Sequence, residues 1–266
     1  MSLKLPVVYI RGLNTSGSNL LILGWIPLPT SMYRPWLQFF AAQGVRAYAI
    51  DNLGGGQLRE QIQKAEQYLE GIRPHLEQGF HLVAHSAGGL VGWGLASNTP
   101  WGKKIKSLTT LATPHKGSHL ARVFLNSIEN GDGRIQVLSK IGYDHERRIP
   151  IFTEFLSENV AEFKKNNVFP KDIPLFSCAF SLPLEEMSWP IRWTHRMGFS
   201  IPDQKHDGFI ELESQKDGEV LGHWELDHSS QLGYHFYLNR KRKSEKVRLF
   251  EDLTAEILSH LKRVEG

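Results

Sequence analysis

The chain has 266 residues, one cysteine, and a formal net charge of +3 from 31 basic and 28 acidic side chains. This near balance of charge argues against a nucleic-acid partner. A single cysteine excludes an internal disulfide, and Cys178, in an apolar run, is predicted to be a buried small side chain. The length suits one α/β domain over residues 1–266, which can bury roughly 75% of the surface of its unfolded chain. The oligomeric state is left open.

The chain contains no run of about 18 apolar residues, so no membrane-spanning helix is predicted. A strand begins near Leu5, and we therefore expect no secretory signal in this chain. These features favour a cytoplasmic location, unless a leader was removed from the gene product.

Short apolar runs alternate with helical patterns along the chain. Continuous apolar runs are typical of parallel strands that helices cover on both faces. The predicted strands are Pro6–Ile10, Val45–Ile50, Phe80–Ala84, Ile105–Leu111 and Pro174–Phe180. The alternation predicts a doubly wound α/β fold with a mostly parallel central sheet and right-handed crossovers. Ligands of such sheets bind at the carboxyl ends of the strands.

Apolar residues at helical spacing predict where the helices lie. One helix should run from about Leu58 to Ile72, before Pro74, and the last from about Val247 to Val264. The basic stretch Arg240–Lys243 is interpreted as a solvated loop before the last helix. A phosphate site or an anionic membrane contact is the alternative for it.

Two regions interrupt the alternation and are candidates for a helical cap over the active site. The first, about 118–169, contains the charged patch Asp144–Arg148 and an amphipathic helix over Phe152–Phe163. The second, 181–206, is rich in large apolar side chains. Ordinary core packing is an equally weighted interpretation of both regions.

Ser86 lies where the apolar run at the start of the segment Phe80–Gly92 stops abruptly. His-Ser followed by small residues is how a strand turns sharply into a helix with a serine at its apex. Gly88 and Gly89 supply the small neighbours of such a strained turn, although Ala84 stands where the usual Gly-x-Ser-x-Gly pattern has glycine. A helix-capping serine is the weaker alternative. The context predicts a nucleophile at the end of the sheet.

A serine hydroxyl needs a base within hydrogen-bond reach, and the base needs a carboxylate that orients it. In α/β-hydrolases these residues follow in the order serine, acid, histidine. Among 12 histidines, His228 is the best placed because it follows the short run Glu219–Leu221 late in the chain. His223 and His235 are the fallback candidates.

Asp207 is the predicted acid, because its Asp-Gly pair makes a tight loop before two apolar residues. An ordinary surface turn is the alternative for this pair. Asp203, Asp217 and Asp227 compete for the role. Asp227 is adjacent to His228, and a chain neighbour rarely reaches an imidazole in the right orientation.

An oxyanion site needs two backbone N–H groups aimed at the developing negative charge. One should come from Ala87, directly after the serine. The other should come from Leu13, in the loop Tyr9–Gly17 after the first strand, where Gly12 lets the backbone approach. A plain glycine-rich turn is the alternative for this loop.

Four segments and one late histidine carry a resemblance to a known family. Ala84–Leu90 and, more specifically, Leu108–Ser118 with its Thr-Pro-His-x-Gly-Ser pattern resemble the bacterial triacylglycerol lipases of the Pseudomonas and Burkholderia type. Arg11–Leu13 is similar to the His-Gly-Leu oxyanion loop of that family. His206–Gly208 is similar to its acid loop, and His228 to its late histidine. The likeness covers most of the chain in outline and these short motifs in detail.

The resemblance implies an α/β-hydrolase that cleaves carboxylesters through an acyl-enzyme, with Ser86, Asp207 and His228 as the triad. We expect an acyl ester or lipid as substrate, leave a transient contact with a lipid interface open, and expect no metal or organic cofactor. Arg11 departs from the family, which has histidine there. Ser230 stands where the family has a calcium-binding aspartate, which speaks against calcium because hard cations prefer carboxylate oxygens.

Two other functions fit the same residues. An acyltransferase uses the same triad with an alcohol in place of water. A non-catalytic binding protein retains the fold without the chemistry. The complete set of candidate groups argues against the binding protein, whereas the residues do not separate the transferase from the hydrolase.

Overall fold

The computed structural model describes residues 3–12, 33–50, 53–54, 56–133, 135, 146, 149–201 and 204–266. Their centre is a six-stranded sheet with the spatial order β2-β1-β3-β4-β5-β6, in which every adjacent pair is parallel. The strands are β1 (Val7–Ile10), β2 (Ala47–Ile50), β3 (Phe80–His85), β4 (Ile105–Leu111), β5 (Leu175–Phe180) and β6 (Glu219–Trp224).

Helices lie between the strands and after the last one. They are α1 (Arg34–Ala42), α2 (Leu58–Gly71), α3 (Gly88–Asn98), α4 (His119–Glu129), α5 (Ile149–Glu154), α6 (Ser157–Asn166), α7 (Trp189–Arg196) and α8 (Arg240–Glu265). Short 3-10 turns occur at Arg73–His75, Pro100–Lys103, Leu184–Glu186 and Ser230–Leu232. In the part of the chain that the structure describes, no helix is both long and apolar enough to cross a membrane.

Each face of the sheet packs against its own set of helices. Alternate residues of a strand point to opposite faces, so Val8 and Leu82 join a core with α2, α3, α5 and α6. Val7 and Val83 join the other core, with α1 and α8. All residues of β1 and β3 are buried, which explains the consecutive apolar residues Val7–Ile10 and Leu82–Ala84 in these strands. The prediction of an α/β fold around a mostly parallel sheet is confirmed.

The last helix begins at Arg240, so the prediction of a loop over Arg240–Lys243 is wrong. Asn239 caps the helix, because its side-chain oxygen accepts the N–H of Arg242 at 3.0 Å. Lys246 in the second turn is fully buried. The cap and this packing outweigh the unfavourable position of basic side chains at a helix N-terminus.

The helix predicted over Phe152–Phe163 is two helices, α5 and α6. The carbonyl of Phe155 accepts the N–H of Ser118 at 2.8 Å, and Leu156 adopts an extended backbone with ψ of 143°. These two features divert the chain between the helices. Phe155 and Val160 are buried in the core beside α2 and α3. The charged patch Asp144–Arg148 lies outside the described residues except for Glu146, and a cap formed by the region 118–169 stays a prediction.

Residues 181–201, from the second predicted cap region, form a short insert between β5 and β6. Leu182, Met187 and Ile191 form a small buried cluster on its inner side. Trp189 and Trp193 keep 40% and 36% of their surface exposed on its outer side. The insert therefore has one packed face and one aromatic outer face, and its function as a cap stays a prediction.

Candidate active site

Ser86 follows β3 directly and adopts a φ of 55°, a left-handed conformation that is costly for a residue with a side chain. Two hydrogen bonds hold it there. Its N–H donates to the Leu111 carbonyl at 2.7 Å, and its carbonyl accepts the Thr113 hydroxyl at 2.8 Å. Because α3 starts two residues later, the backbone forms the sharp strand-to-helix turn that presents a serine at the end of a sheet.

Glycine is required at two positions around this turn. A Cβ on Gly12 would lie 2.7 Å from the Ser86 Cβ and 3.2 Å from its Oγ. A Cβ on Gly88 would lie 2.7 Å from the Ile10 carbonyl oxygen. The loop after β1 and the start of α3 therefore pack directly around the serine, and any larger residue would displace it.

Asp207 and His228 form a close pair. Asp207 Oδ2 lies 2.7 Å from His228 Nδ1, and the backbone N–H of His228 donates to the Asp207 carbonyl at 2.9 Å. Asp207 precedes β6 in the chain and His228 follows it, so one strand links the two loops. The Asp207 side chain is fully buried, whereas the His228 side chain keeps 12% of its surface exposed. The pair combines a buried carboxylate with an imidazole that reaches the surface.

The Asp207 carboxylate has further donors. Oδ1 accepts the N–H groups of Phe209 (3.0 Å) and Ile210 (2.8 Å), and Oδ2 also accepts Gln231 Nε2 (2.9 Å). Burial acts to raise the pKa of Asp207, but His228 and the hydrogen bonds from Gln231 and Ile210 hold it below its usual value. The carboxylate is therefore ionised at neutral pH and can keep the His228 proton on Nδ1.

His228 lies beside the residue that precedes Ser86. Its ring centroid is 4.5 Å from that of His85, and Phe209 packs edge-on at 5.0 Å. Within the described residues, no hydrogen bond joins the Ser86 hydroxyl to His228. Such bonds are often long until substrate binds. The structure brings the two residues to the same end of the sheet.

Ala87 is buried at the N-terminus of α3, and no acceptor among the described residues takes its N–H. This N–H points from the positive end of the helix dipole, which favours negative charge. Leu13, the second predicted oxyanion donor, lies outside the described residues, as does the competing acid Asp203.

The competing Asp217 and His223 have other partners. Asp217 forms a salt bridge with Lys164. His223 Nε2 bonds to the Ser181 hydroxyl at 2.8 Å. His235 Nδ1 is buried and has no hydrogen-bond partner among the described residues. Burial lowers the pKa of His235 to about 4, which makes it a poor proton acceptor. Of the candidate acids and bases that the structure describes, only Asp207 and His228 pair with each other.

Asp227 is a second buried carboxylate with four donors. Oδ2 accepts the Ser188 N–H (2.6 Å) and the Tyr237 hydroxyl (2.8 Å). Oδ1 accepts the Ser229 hydroxyl (2.8 Å) and the Ser230 N–H (2.9 Å). Its oxygens hold the backbone around His228, so it does not orient the imidazole.

The expectation of no calcium site concerns Ser230, and it stays a prediction. Ser230 contributes an N–H donor to Asp227, and its hydroxyl lies 3.2 Å from the Tyr237 hydroxyl. A calcium site needs several free oxygen ligands. Among the residues that the structure describes, no group of three or more His, Cys, Asp or Glu side chains could hold a metal ion.

Two polar residues at the site were not singled out from the sequence. Thr113 holds the Ser86 carbonyl, and its place in the Thr-Pro-His segment was a usable signal. Gln231 holds Asp207, but a glutamine in a turn carries no signal of burial. Cys178 is buried in β5 as predicted, and burial raises the pKa of its thiol far above the usual range.

Solved structures of other proteins have a similar fold. The lipase BlEst2 of Bacillus licheniformis, in mature form, superposes with a TM-score of 0.65 at 17% identity, over 96% of this chain and 92% of that one. The lipase of Staphylococcus hyicus superposes with a TM-score of 0.65 at 14% identity, over 98% of this chain and 96% of that one. A metagenomic carboxyl esterase superposes with a TM-score of 0.67 at 13% identity, over 98% of this chain and 77% of that one. The chain has the α/β-hydrolase fold. The lipases of the Pseudomonas and Burkholderia type are not among these structures, so that closer assignment stays a prediction.

A family model described as palmitoyl protein thioesterase matches residues 45–164 of this chain. The matched part includes Ser86, and it ends before Asp207 and His228. No curated protein matches the sequence.

Proposed function

We propose that this α/β-hydrolase is a serine carboxylester hydrolase that works through an acyl-enzyme. The observation that carries the proposal is the 2.7 Å contact between the buried Asp207 carboxylate and His228. It lies at the end of the sheet where Ser86 is held in a strained turn. A nucleophile, a base and an orienting carboxylate are the groups that acyl transfer needs.

In the proposed reaction, Ser86 Oγ attacks the acyl carbon while His228 Nε2 takes its proton. Asp207 keeps the other imidazole proton on Nδ1 and stabilises the imidazolium. The N–H groups of Ala87 and Leu13 hold the oxyanion, and each such donor is worth roughly 3–4 kcal/mol of barrier. The bond to the leaving alcohol breaks as His228 returns the proton to it. Water then attacks the acyl-enzyme with the same proton transfers and releases the acid.

Thioester hydrolysis is the second candidate activity. The palmitoyl protein thioesterase model matches the segment that contains Ser86, and a thioester presents the same acyl carbon with a sulfur leaving group. Rates for an oxygen ester and a thioester of the same acyl chain distinguish the two. A preference for the thioester of about 10-fold or more would favour this candidate.

We also propose a transient contact with a lipid interface through the outer face of α7. Trp189 and Trp193 lie one turn apart on that exposed face, and Arg196 follows at the next turn. Indole rings favour the membrane interface, and basic side chains favour anionic headgroups.

The protein should co-sediment with vesicles of phosphatidylcholine and phosphatidylglycerol. The variant Trp189→Ser/Trp193→Ser should lose this binding, and Val168→Ser, at another exposed apolar residue, should keep it. Wild-type protein that stays in the supernatant would refute the contact.

A fluorophosphonate probe tests the central proposal. We expect one adduct, which peptide mass spectrometry locates on Ser86, and none in Ser86→Ala. A series of p-nitrophenyl esters gives the preferred acyl length, and product analysis with an added alcohol separates a hydrolase from an acyltransferase. Folded protein that is neither labelled nor active on any ester or thioester would overturn the proposal in favour of a binding protein.

A further inference from the structure

Gln231 is held rigidly beside the proposed catalytic acid. Its side chain is fully buried. Its backbone N–H donates to the Asp227 carbonyl at 3.2 Å, and its carbonyl accepts the indole N–H of Trp36 at 3.0 Å. Because both backbone groups are bonded inside the protein, the amide group has little freedom to move.

The side-chain amide of Gln231 bridges two residues of the site. Nε2 donates to Asp207 Oδ2 at 2.9 Å, and Oε1 lies 3.0 Å from His85 Nε2. A carboxamide oxygen only accepts, so the proton of His85 must be on Nε2. Burial, with the nearby His228, lowers the pKa of His85 well below its usual value, which keeps the ring neutral. The Asp207 carboxylate only accepts, so it takes the NH₂ end of the amide, while His85 holds the oxygen end.

We propose that Gln231, oriented by His85, positions the Asp207 carboxylate for catalysis. This proposal rests on the proposed function. The two hydrogen bonds connect the residue directly before Ser86 to the acid that orients His228. They join the last residue of β3, the 3-10 turn Ser230–Leu232 and the loop of Asp207, and so fix the spacing of nucleophile and base. Gln231 and His85 are positioning residues, because neither contacts the ester.

The alternative is that Gln231 only satisfies buried polar groups. Gln215 offers a direct comparison, since it is an equally buried glutamine next to the same loop. Its amide bonds to the carbonyls of Phe180 (3.0 Å) and Ile210 (2.8 Å), and its oxygen accepts the Phe180 N–H (2.7 Å). None of these three hydrogen bonds goes to Asp207. Gln215→Met is thus the matched control for the loss of a buried amide.

The first test is a double-mutant cycle on p-nitrophenyl butyrate hydrolysis. Gln231→Met keeps the length of the side chain and removes the amide, and His85→Phe keeps a ring and removes its N–H. Gln231→Met removes a hydrogen bond to a charged group. We therefore expect its kcat to fall about 10- to 100-fold, with KM nearly unchanged. His85→Phe should lower kcat in the wild type and have no further effect in Gln231→Met.

The second test is the pH profile of Gln231→Glu. An ionised glutamate would repel Asp207, whereas a protonated one can donate to Oδ2 in place of the amide. We expect the activity of this variant relative to wild type to rise as the pH falls. A merely structural role would give a constant ratio.

Three results would overturn the proposal. The first is a kcat of Gln231→Met that is no lower than the kcat of folded Gln215→Met. The second is full additivity of the effects of His85→Phe and Gln231→Met on kcat. The third is a ratio of Gln231→Glu activity to wild-type activity that does not change with pH. Thermal unfolding identifies variants that do not fold, and the Gln231→Glu profile still decides if Gln231→Met is one of them. Failure of the proposed function is distinct, since wild-type Ser86 would then not react with the fluorophosphonate.

Discussion

Replacing Asp207 by asparagine should reverse the hydrogen-bond directions around His228. Oδ1 accepts two backbone N–H groups, from Phe209 and Ile210, so the amide oxygen of Asn takes that side. The new NH₂ group takes the place of Oδ2 and faces His228 Nδ1 and Gln231 Nε2, both of which are donors. His228 avoids the clash by carrying its proton on Nε2. It can then no longer accept the proton of Ser86.

The size of the effect follows from this tautomer change. In a serine protease, the corresponding change lowers kcat by about 10⁴-fold, which is about 5.4 kcal/mol of barrier. We expect kcat of Asp207→Asn to fall about 10³- to 10⁴-fold on p-nitrophenyl butyrate. KM should stay within about 3-fold, because the acid does not touch the ester. Initial rates normalised to folded protein, with circular dichroism as the check of folding, measure this.

Asp227→Asn is the matched control, since it removes the charge of a buried carboxylate that also has four donors. It should lower the free energy of unfolding by about 1–3 kcal/mol through weakened hydrogen bonds. The His228 tautomer, and most of kcat, should be retained. An active Asp207→Asn beside an inactive Asp227→Asn or Asp203→Asn would show that the acid is misassigned.

Three further predictions concern the backbone and one buried histidine. Gly12→Ala places a Cβ 2.7 Å from the Ser86 Cβ. The kcat/KM should therefore fall about 100-fold, while the melting temperature changes little. An unchanged kcat/KM would refute the close packing. Gly208→Ala meets a φ of 107° and a Cβ contact of 2.5 Å to Ile191 Cγ2, and should cost about 2–3 kcal/mol of unfolding free energy. Adding Ile191→Ala should recover only part, because the backbone strain remains. The pKa of His235 is lowered to about 4 in the folded protein. As the pH falls, the unfolded chain therefore binds a proton at His235 before the folded protein does. Stability should therefore fall as the pH drops from about 6.5 to 4, by up to about 2 kcal/mol at pH 5. Urea unfolding at pH 7 and 5 should show a smaller drop for His235→Phe, and an equal drop would contradict the assignment.

The sheet could be predicted from the sequence because buried parallel strands are continuous apolar runs. The edge strand β6 is half-exposed along most of its length, and only its first part, Glu219–Leu221, was visible as a short run. The start of α8 could not be predicted because Arg240–Lys243 contains no apolar residues at helical spacing. A single capping hydrogen bond from Asn239 decides the boundary there.

The candidate site could be predicted where it depends on neighbouring residues and on the order of residues along the chain. Ser86 was found from its strand-turn-helix context, and Asp207 and His228 from their order along the chain. The structure joins these last two, and the catalytic roles of all three stay predictions. The hydrogen bond between His85 and Gln231 spans 146 positions in sequence. No pattern of neighbours encodes such a contact, because it exists only once the sheet has brought β3 and the turn after β6 together.

The Asp227 carboxylate has a mechanical consequence for the insert that carries α7. It accepts the N–H of Ser188, at the start of that helix, and the N–H of Ser230, two residues after His228. An outward swing of α7 must either rupture the 2.6 Å bond to Ser188 or drag the imidazole away from Ser86. The position of α7 is therefore mechanically coupled to the position of His228.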